Sequence, residues 1–125
     1  MIKYILTFIA GAMLTLAFAP FAIWPLGYLC PAVLCFCWLD ATPKESFWLG
    51  LLFGFGLFLT GISWVYISIH NFGGASGLIA ILLTLLLVLY SSLFPAAQGL
   101  LLNKIFKRCS AAIKAFCLFP SLWAL

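Results

Sequence analysis

The chain has 125 residues, 67% of them hydrophobic and only 6% charged, too few charges to solvate the surface of a folded domain of this size, so a soluble globular fold is excluded. The same scarcity of polar residues excludes disorder. Six Lys+Arg against two Asp+Glu leave a net charge of +4, too small and too scattered for a nucleic-acid footprint. What remains is an all-α integral membrane protein.

The charges fall at Lys3, at Asp40, Lys44 and Glu45, and at Lys104, Lys107, Arg108 and Lys114, leaving residues 4–39 and 46–103 without formal charge. A helix rises about 1.5 Å per residue and needs roughly 20 residues to cross the hydrocarbon. In the first stretch Pro20 and Pro25 interrupt the run, which predicts two short helices over 3–18 and 26–39 joined by Ala19-Pro20-Phe21-Ala22-Ile23-Trp24-Pro25. The second stretch is far too long for one span and folds back at Asn71-Phe72-Gly73-Gly74-Ala75-Ser76-Gly77, giving helices over 47–69 and 77–103. After a basic loop at 104–114 comes an apolar segment, 115–125, too short to span and read as the truncated start of a fifth helix. The expectation is four transmembrane helices plus the start of a fifth, one N-terminal transmembrane domain over 1–125, in a fragment or early-terminated product.

Charge asymmetry sets the orientation. With these helices all six basic residues share the side of the N-terminus, and the opposite loops at 19–25 and 70–76 carry none. The positive-inside rule then places the N-terminus in the cytoplasm of a multi-pass protein. Lys3, the apolar run and Ala17-Phe18-Ala19 imitate a signal peptide, but Pro20 just after the cut and a second membrane segment argue against cleavage. The five cysteines, Cys30, Cys35, Cys37, Cys109 and Cys117, show no metal-ligand spacing and read as small buried hydrophobes. No catalytic cysteine is visible, because the one histidine, His70, lies at the opposite membrane face from Cys35, Cys37 and Cys109, and Cys30 has no acid or base beside it. No metal or cofactor is implied.

The informative stretch is residues 61–74, which gathers Trp64, Tyr66, His70, Asn71, Phe72, Gly73 and Gly74 at the outer end of the third helix. One reading is an aromatic belt at headgroup level followed by a glycine turn. The other is a groove open to lipid headgroups, since Trp64 and Ile67/Ser68 stand three to four residues apart on one helix face. Gly50, Gly54, Gly56 and Gly61 suit close helix packing, with Gly50-Leu51-Leu52-Phe53-Gly54 matching a small-xxx-small pattern.

Three blocks carry a family resemblance: Leu16-Ala17-Phe18-Ala19-Pro20-Phe21-Ala22-Ile23-Trp24-Pro25-Leu26; Phe47-Trp48-Leu49-Gly50 through Phe53-Gly54-Phe55-Gly56; and Ser63-Trp64-Val65-Tyr66-Ile67-Ser68-Ile69-His70-Asn71-Phe72-Gly73-Gly74. In order and spacing they resemble the N-terminal membrane region of bacterial apolipoprotein N-acyltransferase, over essentially the whole chain. The resemblance implies an acyltransferase of the bacterial inner membrane. Such an enzyme moves an acyl chain from a phospholipid, through a cysteine thioester, to the α-amino group of a lipoprotein's diacylglyceryl-cysteine. It implies a Glu-Lys-Cys triad in a periplasmic nitrilase-like domain. Here every acid and lysine falls on the cytoplasmic side, so no residue of this chain is assigned to the triad, and the chain alone is expected to be inactive. The resemblance makes Trp64, Tyr66, His70, Phe72, Gly73 and Gly74 the substrate-binding candidates, bordering the entry for the phospholipid acyl donor and the lipoprotein substrate. Two other classes remain open, a small multi-span transporter or channel subunit and a structural subunit of a membrane complex. Against the transporter stands the lack of any acidic or basic residue within a predicted span.

Overall fold

A computed structural model describes residues 1–18, 21–105, 108 and 110–113, with the backbone alone at 105 and 111. The expected fifth helix at 115–125 and the residues Ala19, Pro20, Lys107, Cys109, Lys114 and Cys117 lie outside the described residues. Among those described the chain is all-helical, with α1 (Ile2–Leu14), α2 (Trp24–Leu39), α3 (Pro43–Gly61), α4 (Trp64–Ile67), α5 (Gly77–Ile105) and the short α6 (Ala111–Ile113).

α1 runs into a 3-10 turn at Thr15–Ala17 and stops at Phe18, whose backbone is extended. Pro20 follows in the sequence, and a proline lacks the N–H donor that a continuing helix needs. The connection folds back on α1, with the Ala22 N–H donating to the Phe18 carbonyl (3.0 Å) and the Ile23 N–H to the Leu16 carbonyl (3.1 Å). Ile23 (φ −79°, ψ 76°) then forms an inverse γ-turn, closed by the Trp24 N–H on the Ala22 carbonyl at 2.9 Å. α2 begins at Trp24, two residues earlier than expected, because Pro25 sits in the first turn, where a missing donor costs nothing. Pro31 is carried inside α2 and Pro95 inside α5.

α3 starts four residues ahead of the expected 47. Thr42 caps it: its hydroxyl accepts from the Glu45 N–H, and the Glu45 carboxylate accepts from the Thr42 N–H (2.9 Å) and hydroxyl (3.0 Å).

α3 is the centre of the bundle, packed against α5, α1 and α2. It runs parallel to α1 and antiparallel to α5, and glycines set both contacts. A β-carbon on Gly11 would strike the carbonyl oxygen of Phe53, and one on Gly56 the carbonyl oxygen of Phe8. On the other side of α3, Gly50 lies against Pro95 and Ala96, and Gly54 against Ser92 and Pro95. The small-xxx-small pair therefore faces α5, as small residues do where apolar solvent leaves close packing to hold helices together. Beside these contacts, Leu34, Trp38, Leu49, Phe53 and Leu102 form a fully buried core.

At the end of the bundle bearing the N-terminus, α2, α3 and α5 are tied by buried polar groups. Asn103 Nδ2 donates to the Trp38 carbonyl (2.7 Å) and to the Ser46 hydroxyl, and the Trp38 indole Nε1–H donates to the Ser46 carbonyl (3.0 Å). Elsewhere the buried hydroxyls of Thr7, Thr84 and Ser92 donate to carbonyls one turn back in their own helices. Among the described residues no buried side-chain nitrogen or oxygen lacks a partner, as an apolar surrounding requires.

The outside of the bundle is apolar. Leu78, Ile81, Leu82, Leu86, Tyr90 and Phe94 of α5 are all exposed. By length and composition Gly77–Lys104 can cross a membrane, and Pro43–Gly61 with Trp64–Phe72 counts as a second span if that pair, bent by 48°, is taken as one. Ile2–Ala17 and Trp24–Leu39 are shorter apolar helices.

Candidate functional site

The expected continuous helix over 47–69 is broken. α3 ends at Gly61, and the following segment leaves at 48°. The restart uses tighter bonds, with the Val65 N–H on the Ile62 carbonyl (2.9 Å) and the Tyr66 N–H on the Ser63 carbonyl (3.2 Å). Hydroxyls occupy carbonyls around the break. Thr60 donates to Gly56 (2.8 Å), Ser63 to Thr60 (3.2 Å) and Thr15 of the neighbouring α1 turn to Leu57 (3.3 Å), while the Thr15 and Thr60 hydroxyls stand 2.6 Å apart. Side-chain hydroxyls that bond back onto a helix both bend it and satisfy the groups the bend frees. A run of helix-compatible residues such as Ile62-Ser63-Trp64 gives no local sign of this break.

Beyond α4 the chain widens into a π turn over Ser68–Phe72, closed by the Gly73 N–H on the Ser68 carbonyl at 3.2 Å, five residues back. Gly74 takes φ +64°, a left-handed backbone that glycine adopts without steric cost, and the chain turns there toward α5.

The six candidate residues fall into distinct surroundings. Tyr66 and His70 stack, ring centroids 5.8 Å apart and planes 11° from parallel. His70 Nδ1 lies 3.1 Å from the Ala75 carbonyl oxygen. Since a carbonyl can only accept, Nδ1 carries the proton in this contact. Gly77, the first residue of α5, sits beside the pair: its β-carbon would stand 3.7 Å from the Tyr66 hydroxyl and 4.0 Å from His70 Cε1. Trp64 and Phe72 instead point away from the bundle, 63% and 89% exposed. Gly73 and Gly74 serve the turn, and a β-carbon on Gly73 would press on the Ile69 carbonyl at 2.7 Å.

Other residues at this end were not among the six candidates. Ile67 is exposed, as are Phe18, Phe21, Trp24 and Tyr28 around the α1–α2 connection, where Trp24 and Tyr28 meet edge to face at 6.4 Å. The common signal is an aromatic cluster at each of two proline- or glycine-marked turns, which the charge pattern already places at one end. This end offers stacked rings, one imidazole and exposed indoles, a chemistry suited to holding lipid at headgroup level. The carboxylates of Asp40 and Glu45 and the ammonium groups of Lys3, Lys44 and Lys104 belong to the opposite end of the bundle. Cys30, Cys35 and Cys37 are buried thiols on α2. Among the described residues no three His, Cys, Asp or Glu side chains gather as metal ligands.

Residues 10–125 match the family model described as the apolipoprotein N-acyltransferase N-terminal domain. Among relatives, the apolipoprotein N-acyltransferase of Coxiella burnetii is 47% identical over 119 residues, which is 95% of this chain and 24% of that protein. Those of Vibrio parahaemolyticus and Azotobacter vinelandii are each 41% identical, over 90% and 95% of this chain and 22% and 23% of their own lengths. The chain thus spans about a quarter of the curated relatives it matches. On a match that runs from the middle of α1 to the last residue, the chain belongs to the apolipoprotein N-acyltransferase family, in the region of its N-terminal domain.

Proposed function

We propose that this chain is the membrane platform of an acyltransferase that moves a phospholipid acyl chain to the N-terminal diacylglyceryl-cysteine of lipoproteins. In this reading residues 1–125 form a transmembrane domain whose spans are α1 with its 3-10 turn, α2, α3 with the bent segment after it, and α5. The N-terminus lies in the cytoplasm of the bacterial inner membrane, and the end bearing Trp64, Tyr66, His70, Phe72, Gly73 and Gly74 faces the periplasm. The observation that carries the reading is the family match over residues 10–125. It is supported by the segregation of charge, because every described basic residue belongs to the N-terminal end and the aromatic end has none.

The acyl-transfer chemistry itself is assigned to residues outside this chain, since the acids and lysines that a carboxylate base and an oxyanion partner would need lie at the cytoplasmic end. The platform's part is to hold the donor phospholipid and the lipoprotein at the outer headgroup level, with the six candidate residues bordering the lateral entry. Trp64→Ala and Tyr66→Ala in the full-length enzyme are expected to lower acyl transfer to apolipoprotein several-fold at unchanged protein level. Transfer at the unsubstituted rate with normal protein level would reduce both residues to belt anchors.

A further inference from the structure

The segment Trp64–Phe72 has two faces, and the π turn creates them. At about 100° per residue, an α-helix would place Phe72, eight residues on, roughly 80° away from Trp64. The extra residue in the i→i+5 turn rotates Phe72 back toward Trp64. The exposures follow that winding: Trp64, Ile67 and Phe72 are 63%, 53% and 89% exposed, while Val65, Tyr66 and Ile69 are half-buried. The same widening brings His70 squarely over Tyr66, the near-parallel stack that leans on the start of α5. Ser63 and Asn71, both exposed, flank the apolar face on its polar side.

We infer that Trp64–Phe72 is an interfacial arm, anchored in the outer lipid leaflet through Trp64, Ile67 and Phe72, and held to the bundle through the Tyr66–His70 stack. The inference rests on the membrane reading above and deepens it by separating the candidate residues into a lipid-inserted set and a clamping set. A lipid leaflet is the occupant that fits, for three reasons on this molecule. The helix that follows the arm, α5, opens with exposed apolar residues of its own, Leu78, Ile79 and Leu82. The arm shares its end of the bundle with the exposed aromatics Phe18, Phe21, Trp24 and Tyr28. No formal charge interrupts it, and a short bent helix with indole and phenyl groups on one face and polar groups on its flank suits the headgroup–acyl boundary. The 48° bend at Gly61–Ser63 is what lays the arm over instead of continuing α3 into water.

The test uses the full chain in phospholipid nanodiscs, with native cysteines replaced and one new cysteine at a time carrying an environment-sensitive fluorophore. Trp64→Cys, Ile67→Cys and Phe72→Cys are read beside Ser63→Cys and Asn71→Cys, which leave the anchors intact, and Leu86→Cys on the exposed face of α5. Fluorophores at 64, 67 and 72 are expected to be quenched several-fold more by a nitroxide near the top of the lipid acyl chain than those at 63 and 71. The latter two should be quenched by iodide from water. Strong lipid quenching at 71 with none at 72 would mean α winding and overturn the two-faced arm. Water exposure at all five positions, with Leu86 still quenched by a mid-chain nitroxide, would overturn the anchoring alone. An unquenched label at Leu86 would overturn the membrane reading on which the inference stands.

Discussion

Gly50→Val is expected to abolish the packing of α3 on α5 and to strip the membrane of folded protein. The new β-carbon would fall on the Pro95 carbonyl oxygen, 2.8 Å from its carbon and 2.9 Å from the Ala96 α-carbon. All three are backbone atoms, so no rotamer change relieves the clash and the helices must part. Overpacking a core costs about 1–3 kcal/mol where side chains can give way, and more where they cannot. Separation would also uncover Phe53 and Leu49, both essentially fully buried. Immunodetection of the membrane-inserted chain, with thermal unfolding in detergent, checks it: the expected result is a several-fold loss of protein and a lower midpoint. Gly27→Ala is the matched control, since among the described residues the only contact its β-carbon would meet is the Ala17 methyl at 3.9 Å. There, replacing a helical glycine gains about 0.5–1 kcal/mol. Equal behaviour of the two variants would show that the glycine contacts do not hold the bundle.

Asn103→Leu is the second large effect. Its side-chain amide donates to the Trp38 carbonyl and the Ser46 hydroxyl, joining the end of α2 and the start of α3 to α5. Asn103 is 4% exposed and Ser46 is fully buried, so water cannot replace the lost donor. A buried polar group left without its partner costs about 1–3 kcal/mol. The Trp38 carbonyl keeps the Ala41 N–H at 3.3 Å, so the cost falls on the Ser46 hydroxyl and should drop when Ser46→Ala is added. In a thermal-unfolding double-mutant cycle, non-additivity of that sign identifies the network, and strict additivity would reduce Asn103 to a packing residue.

Much of this architecture was legible before any coordinates. The all-helical character was readable from composition and charge, and Gly50 and Gly54 as a packing seam, whereas the helix expected over 47–69 runs from Pro43 and ends at Gly61. Pro25 misled by two residues because a proline marks a helix start as readily as an interruption, and the outcome depended on whether it fell in the first turn. The break at Ile62–Ser63 was hidden because it is made by hydroxyls from Thr15, Thr60 and Ser63, one of them on another helix. Asn103 was equally silent, being 65 residues from the carbonyl it meets. At the site, the chemistry of Trp64, Tyr66, His70 and Phe72 could be listed but not apportioned. Fixed 3.6-residue winding paired Trp64 with Ile67 and Ser68, whereas the π turn puts Phe72 on that face and leaves Ser68 half-buried.

Cysteine accessibility from the two sides of the inner membrane tests most directly whether this bundle is a membrane platform with its aromatic end outward. In the full-length protein, with native cysteines replaced, Ser76→Cys should react with a membrane-impermeant maleimide in intact spheroplasts. Lys44→Cys and Lys104→Cys should react only after the membrane is opened. Labelling of position 76 and position 44 from the same side, or the reverse order of access, would contradict both the spans and the placement of Trp64, Tyr66 and His70 at the outer face.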